Sequence, residues 1–250
     1  MKSALLVLVA AFLVAGCGGG NGTGSETTTE ETTTVEPTSE VTVYFLRDGK
    51  VWPVRHEVPE GGEDAAGALR ALLEGPSDEE QSELELTTAL MEEDTPAVSI
   101  AGGVATLDSS SGLTAEARAQ VVYTLTGDPT VTSVEIEGQS YTRADFEEQT
   151  PSVLVESPLA FDEASSPLLA DGTANTFEAT FSFEIEDSSG EVIASDFVTA
   201  TSGSGMRGTF EFSQPFVVEE DQEGTLVVFE LSAEDGSRMN EVEIPLQLRE

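Results

Sequence analysis

Between Thr176 and Asp187 the chain reads TFEATFSFEIED, with Phe177, Ala179, Phe181, Phe183 and Ile185 on one parity and Glu178, Thr180, Ser182, Glu184 and Glu186 on the other. A period of two with one apolar face predicts a strand that packs one side on a core and turns the other to solvent. The pattern recurs downstream. Phe210, Phe212 and Phe216 repeat the parity with one gap, followed by Val227, Phe229 and Leu231 and then Val242, Ile244, Leu246 and Leu248. Ser188-Ser189-Gly190 and Asp235-Gly236-Ser237 supply the turns between them. Several short alternating strands in a hundred residues predict an all-β sandwich over 151–250, and the Cys-Trp-Cys signature of antibody domains is absent. Pro245 on the last strand, Asn240 to Arg249, marks that strand as an edge, because proline lacks the N–H a ladder needs.

Upstream, the period changes. VTVYFLR and VWPVRHEVP flank Asp48-Gly49-Lys50 and read as two strands joined by a turn, with Trp52, Val54, His56 and Val58 sharing a face. In EDAAGALRALLEG, Ala65, Ala68, Leu69 and Leu72 follow helical spacing up to a Gly75-Pro76 stop. Ser77 with Glu80 forms a capping box for a second helix continuing through Leu84 to Leu90. Ala97–Ala101 and Val104–Asp108 make a hairpin around Gly102-Gly103. Thr114 caps a helix with Ala117, Val121 and Leu125 in one stripe, and Val131 to Glu137 is the next strand, with a turn before Tyr141. Strands and helices interleave, so 41–150 is predicted to be an α+β domain. The shift to pure alternation near Gln149-Thr150-Pro151 puts the boundary there, and 41–150 and 151–250 are expected to fold as separate units.

The chain begins with Lys2, an apolar run from Ala4 to Val14, and small residues Ala15 and Gly16 before Cys17, the only cysteine. This is the layout of a secretory signal, too short to span a bilayer. Val14-Ala15-Gly16-Cys17 resembles a bacterial lipobox, which implies cleavage after residue 16 and lipidation of Cys17. More than one acyl chain is needed for stable anchoring, and a diacylglyceryl group supplies them. Residues 1–16 are thus a lipoprotein signal peptide. Residues 17–40, the lipidated cysteine and a Gly, Thr, Ser and Glu stretch, are expected to be a disordered tether with a root-mean-square span of roughly 25 to 30 Å and a stretched length of about 80 Å. The expected location is the extracytoplasmic face of the cell membrane, with the lipid anchor as the contact to the membrane.

Forty-eight acidic residues face ten basic ones, a formal net charge of −38, and processing removes Lys2 but no acid. A surface this negative repels nucleic acid and anionic headgroups, which excludes a nucleic-acid partner. The acids are spread over both halves, the pattern of a solvated coat. Neither the coat nor the single cysteine offers chemistry: Cys17 is an anchor, and no second thiol exists to pair with it. His56, the only histidine, has no evident partner in sequence, and Asp108-Ser109-Ser110-Ser111 reads as a strand end before a capped helix. Nucleophile elbows, H-E-x-x-H pairs and phosphate-cradling loops are missing from the sequence. Glu92-Glu93-Asp94 and Glu219-Glu220-Asp221 are carboxylate clusters among many. Glu219, Glu220, Asp221 and Glu223 crowd a loop without the spacing of a calcium loop. No catalytic residue, metal site or cofactor is predicted.

Residues 41–143 resemble a GerMN domain in the blocks ALRALLEGPSDEE (Ala68 to Glu80), GGVATLD (Gly102 to Asp108) and QVVYTLTGDPTV (Gln120 to Val131). They depart from that family at Gly127-Asp128-Pro129, where an uncharged Gln-Phe-Pro-like turn is usual. Residues 153–248 resemble the immunoglobulin-like domain of bacterial spore germination in Ser157-Pro158-Leu159, Ser166-Pro167-Leu168, NTFEATFSFEI, DFVTATSG and VFELSAEDGSRMNEVEIPLQL. The resemblance implies an envelope lipoprotein of Gram-positive type, linked to sporulation or germination and working by assembly. The family also occurs in bacteria that form no spores. The function expected is a non-catalytic interaction module with an envelope protein as partner, its oligomeric state open. A cell-wall hydrolase or carbohydrate-binding accessory is one alternative, and a regulatory lipoprotein that binds a sensor kinase is another.

Overall fold

Strand β1 (Thr38–Arg47) pairs antiparallel with β2 (Lys50–Pro59) through the Asp48-Gly49 turn, with Phe45 opposite Trp52 and Val43 opposite Val54. The computed structural model describes residues 37–62, 64–91, 97–108 and 112–250. β1 begins at Thr38, inside the stretch expected to be tether. Burial in β2 is continuous from Val51 to Val54, Pro53 included, so the strict alternation expected there fails. Both faces of the strand are covered at that point: helices α1 (Ala65–Glu74) and α3 (Ala115–Leu125) pack on the hairpin, and Trp52 and Pro53 meet the sandwich domain.

Helix α1 starts at Asp64, whose carboxylate accepts the Gly67 N–H (2.8 Å), and buries Ala65, Ala68, Leu69 and Leu72. α2 (Asp78–Glu83) has the expected Ser77/Glu80 capping box but stops at Leu84. The run to Leu90 is not helical: Thr87 instead exchanges backbone hydrogen bonds with Leu46, extending the edge of β1. Leu84, Leu86 and Leu90 are buried all the same, which is why they mimic a helical stripe.

A second sheet is built from β3 (Ala97–Ala101), β4 (Val104–Asp108), β5 (Ser133–Ile136) and β6 (Gln139–Tyr141), hydrogen-bonded in that order. β4 and β5 are parallel, joined across α3, which Thr114 caps as expected. β5 is shorter than its sequence signal, although Val131 is buried just outside it. A 3₁₀ segment, Arg143–Gln149, unforeseen in the sequence, leads out of this domain.

The strands of the second half are β7 (Val153–Ser157), β8 (Glu163–Ser165), β9 (Leu168–Ala174), β10 (Thr180–Asp187), β11 (Val192–Thr199), β12 (Gly208–Gln214), β13 (Gln222–Leu231) and β14 (Arg238–Arg249). They form a sandwich of a three-stranded sheet, β12-β9-β7, and a five-stranded sheet, β11-β10-β13-β14-β8. Phe181, Phe183 and Ile185 enter the core as expected, with Phe181 edge-on to Phe210 and Phe183 stacked on Phe212. Two expectations are corrected. Phe177 lies in a 3₁₀ turn, Phe177–Ala179, and is 67% exposed. On β13 the inward residues are Leu226 and Val228, opposite Ile185 and Phe183. Val227, Phe229 and Leu231 share the outer face with Glu184 and Ser182. Because Leu226 through Phe229 are all apolar, parity along β13 has no polar marker. Phe229 is buried on that outer face under the Arg238 guanidinium, 4.2 Å from the ring centroid.

Pro245 lies on β14 just ahead of the short parallel pairing with β8 at Gln247–Arg249, so the edge it marks is covered at one end only. Its carbonyl accepts the Phe161 N–H (2.7 Å). The peptide bonds Ser157-Pro158 and Ser166-Pro167, in the two repeated Ser-Pro-Leu motifs, are both cis. Glu36–Glu250 form one compact unit, and one apolar core runs from the helical half into the sandwich.

Candidate functional site

Trp52, Pro53, Pro151, Val153, Pro158, Leu159, Val242 and Ile244 close around a cavity of only about 10 Å³ where the two halves meet. Polar side chains surround this apolar seam, and three arginines cross it. Arg143, at the start of the 3₁₀ segment, is the most connected. Its Nη1 donates to Glu156 Oε1 on β7 (2.6 Å), its Nε to Thr126 Oγ1 (2.8 Å) and its Nη2 to the Tyr123 carbonyl (3.1 Å). Its guanidinium also lies over the rings of Tyr123 (4.8 Å) and Tyr44 (5.2 Å). Tyr44 donates its hydroxyl to the same Glu156 oxygen (2.6 Å), so the carboxylate is held by a strand and a 3₁₀ turn of the other half. Burial drives the Tyr44 phenol well above its usual range despite the nearby Arg143 charge. It stays a neutral donor.

The second crossing is bidentate: Arg207 Nη2 and Nε donate to Glu147 Oε1 (2.9 Å) and Oε2 (3.0 Å), and Nη2 reaches the Pro151 carbonyl (2.7 Å). Asn175 adds a bond to Glu147 from the sandwich side (2.8 Å). The third pairs Arg55 on β2 with both carboxylate oxygens of Asp162 (2.9 and 3.0 Å). A fork of N–H donors facing a carboxylate fixes orientation as well as distance, which a lysine does not. In a chain with so few cations, the placement of three arginines on one seam makes it a built junction.

The hydrogen bonds from Arg207 hold the Glu147 carboxyl below the usual range, against the opposing pull of burial, with help from Asn175. Burial raises Glu80, but bonds from His56 (3.0 Å) and Ser77 outweigh it and leave that carboxyl low as well. A carboxyl depressed in the folded state contributes stability above its unfolded pKa and loses it as pH falls through the folded one. Asp171, raised by burial and then by Glu156 and Glu211, works in the opposite sense. In 1 M NaCl, where the net charge is screened, stability should fall between roughly pH 5 and pH 3, and Glu147→Gln should flatten the fall. Equal slopes for the two proteins in urea titrations would show that Glu147 contributes nothing.

The residues singled out in the sequence fall mostly elsewhere. Cys17, residues 1–16 expected to be a signal peptide, Ser109 to Ser111 and Glu92-Glu93-Asp94 lie outside the described residues. His56 has a partner after all. It faces Glu80, packs on the Phe45 ring (5.3 Å) and serves to tie β2 to α2. Asp221 is engaged by Arg249 (3.2 Å) and the Glu250 N–H (3.0 Å). Among the described residues no group of three or more His, Cys, Asp or Glu is arranged to hold a metal, and no helix is long and apolar enough to cross a membrane. Arg55, Arg143 and Arg207 carry no motif that marks them in the sequence. Their scarcity is the available signal, since ten bases among so many acids invite the question of what each one holds.

The fold and its junction define a tandem of an α+β domain and an immunoglobulin-like sandwich. Family models match both parts: "Sporulation and spore germination" over residues 42–142 and "Immunoglobulin-like domain of bacterial spore germination" over 152–237. The chain therefore carries a GerMN domain followed by a germination-type immunoglobulin-like domain and is a germination-associated module. Among solved structures it is similar to the tandem GerMN domains of the sporulation protein GerM from Bacillus subtilis, at 27% identity and TM-score 0.33 over 42% of this chain and 41% of that one. It thus spans about two-fifths of the length of that structure. CopC from Methylosinus trichosporium OB3b is also similar, at 16% identity and TM-score 0.25, over 40% of this chain and 93% of that one. So is WR4, a C. elegans MSP family member, at 14% identity and TM-score 0.23, over 40% and 97%. Likeness at these TM-scores says nothing about function. No curated protein matches the chain.

Proposed function

We propose that this chain is a non-catalytic interaction module of the cell envelope, anchored through a lipid on Cys17 to the outer face of the membrane. The observation that supports the reading is the junction: three arginine–carboxylate pairs fasten two germination-associated domains into one body. In this proposal that body offers surfaces of both domains to a protein partner. An active site needs a nucleophile or base with an oriented partner and room for substrate. The His56–Glu80 pair has the first without the second, because it is packed between β2, α2 and Phe45.

Two measurements test the two parts of the proposal. Cells making the wild-type chain should incorporate radiolabelled palmitate into it, and cells making Cys17→Ala should accumulate an unlabelled precursor; label in the variant refutes the anchor. Purified protein incubated with peptidoglycan should release no soluble fragments. Release that depends on His56 or Ser109 would make the chain a hydrolase instead.

A further inference from the structure

Beside the apolar seam, a second and larger opening of about 370 Å³ is lined from both domains. One wall is the turn of the first hairpin, with Arg47, Asp48 and Lys50; the other is β14, with Asn240 and Glu241; Trp52, Pro151 and Val242 form an apolar floor. A cleft of this size at a domain interface, with an apolar base and a few polar groups around it, is where small ligands bind.

The charges are what select the ligand. Among the described residues, Arg47 and Lys50 have no carboxylate partner within 4.0 Å, in a chain where acids outnumber bases almost five to one. Arg47 lies over the Trp52 ring (4.9 Å to the centroid), and its guanidinium carries five N–H donors. Lys50 donates to the Glu148 carbonyl and keeps further donors on its ammonium. With Asp48 counted, that wall is net positive by one. The facing wall is net negative by one: Glu241 is solvent-exposed, and its tie to Arg238 is long (3.4 Å). The cleft is thus a dipole across an apolar floor.

We infer that this cleft binds a short peptide with both termini free, its carboxylate toward Arg47 and Lys50, its ammonium toward Glu241, and an apolar side chain on Trp52, Pro151 and Val242. A neutral saccharide could hydrogen-bond to both walls but would compensate the charge of neither, and a purely anionic ligand would meet Asp48, Glu241 and the acidic surface without compensation.

Trp52 is the only tryptophan, so its emission reports on the cleft floor directly. Titration of the full chain with leucyl-alanine should give a saturable change in emission. N-acetylation or C-amidation of the dipeptide should each remove most of it. Lys50→Ala and Glu241→Gln, both at exposed or half-exposed positions that leave the core untouched, should each cut the response about tenfold at a fixed subsaturating concentration. The inference is overturned by no saturable change up to about 10 mM dipeptide, by equal responses to the blocked dipeptides, or by an equal response to chitobiose, which would make the cleft a saccharide site. Circular dichroism of the variants separates loss of binding from loss of fold.

Discussion

Arg143→Ala is expected to cost about 2–4 kcal/mol of stability and to lower the unfolding midpoint by roughly 5 to 10 °C. Arg143 and Glu156 are each less than a third exposed, and Glu156 also carries the Tyr44 hydroxyl. Removing the guanidinium leaves a half-buried carboxylate facing a phenol that burial keeps neutral, and leaves the Tyr123 carbonyl with only a long bond from the Thr126 hydroxyl (3.4 Å). Leaving a partner uncompensated is what makes such deletions expensive, far more than the net worth of the pair. Arg143→Lys should recover only part of the loss, since an ammonium cannot hold Glu156, Thr126 and Tyr123 from one plane. Urea unfolding followed by circular dichroism checks both. A cost for Arg143→Ala below about 0.5 kcal/mol, the range of an ordinary surface change, would mean that the junction is decorative.

Gly67→Ala has the second large effect, and here two contributions oppose each other. Alanine in a helix is favoured over glycine by about 1 kcal/mol. Gly67, however, sits in the first turn of α1 where the chain entering the helix folds back, and a Cβ there would overlap the carbonyl oxygen of Gly62. Backbone must move, and the moving part carries the Asp64 cap and the end of β2. The clash should win, with a net loss of about 3 kcal/mol. Gly75, at the other end of the same helix, is a useful contrast because a methyl group added there would meet nothing within 4 Å, although its φ of 81° strains any L-residue. If thermal unfolding shows Gly67→Ala to be stabilising, the loop Gly61-Gly62 yields more readily than its packing suggests.

Much of the architecture is legible in the residues. Alternation in TFSFEIED, the Gly102-Gly103 hairpin and the Thr114 cap all read correctly because each rests on a local rule: strand parity, φ of +58° and +84° at the two glycines, and a side chain that reaches the Ala117 N–H. The errors arise where tertiary burial overrides local pattern. Leu84, Leu86 and Leu90 are buried along an irregular path, and Leu226 to Phe229 are apolar on both faces, so neither segment carries the polar contrast that marks a period. The junction is invisible for a different reason. Its partners are distant in sequence, Arg55 with Asp162 and Arg207 with Glu147, and no spacing rule relates them. The same holds for His56, whose partner Glu80 is recognisable in the sequence only as a helix cap.

The central claim is that the two germination-associated domains work as one fastened body, and calorimetry of the full chain tests it most directly. The account predicts one cooperative unfolding transition in the wild-type protein, its calorimetric and van't Hoff enthalpies equal, and its separation into two when Arg143 and Arg207 are both replaced by alanine. Two resolved transitions in the wild type, with neither moved by those replacements, would contradict it.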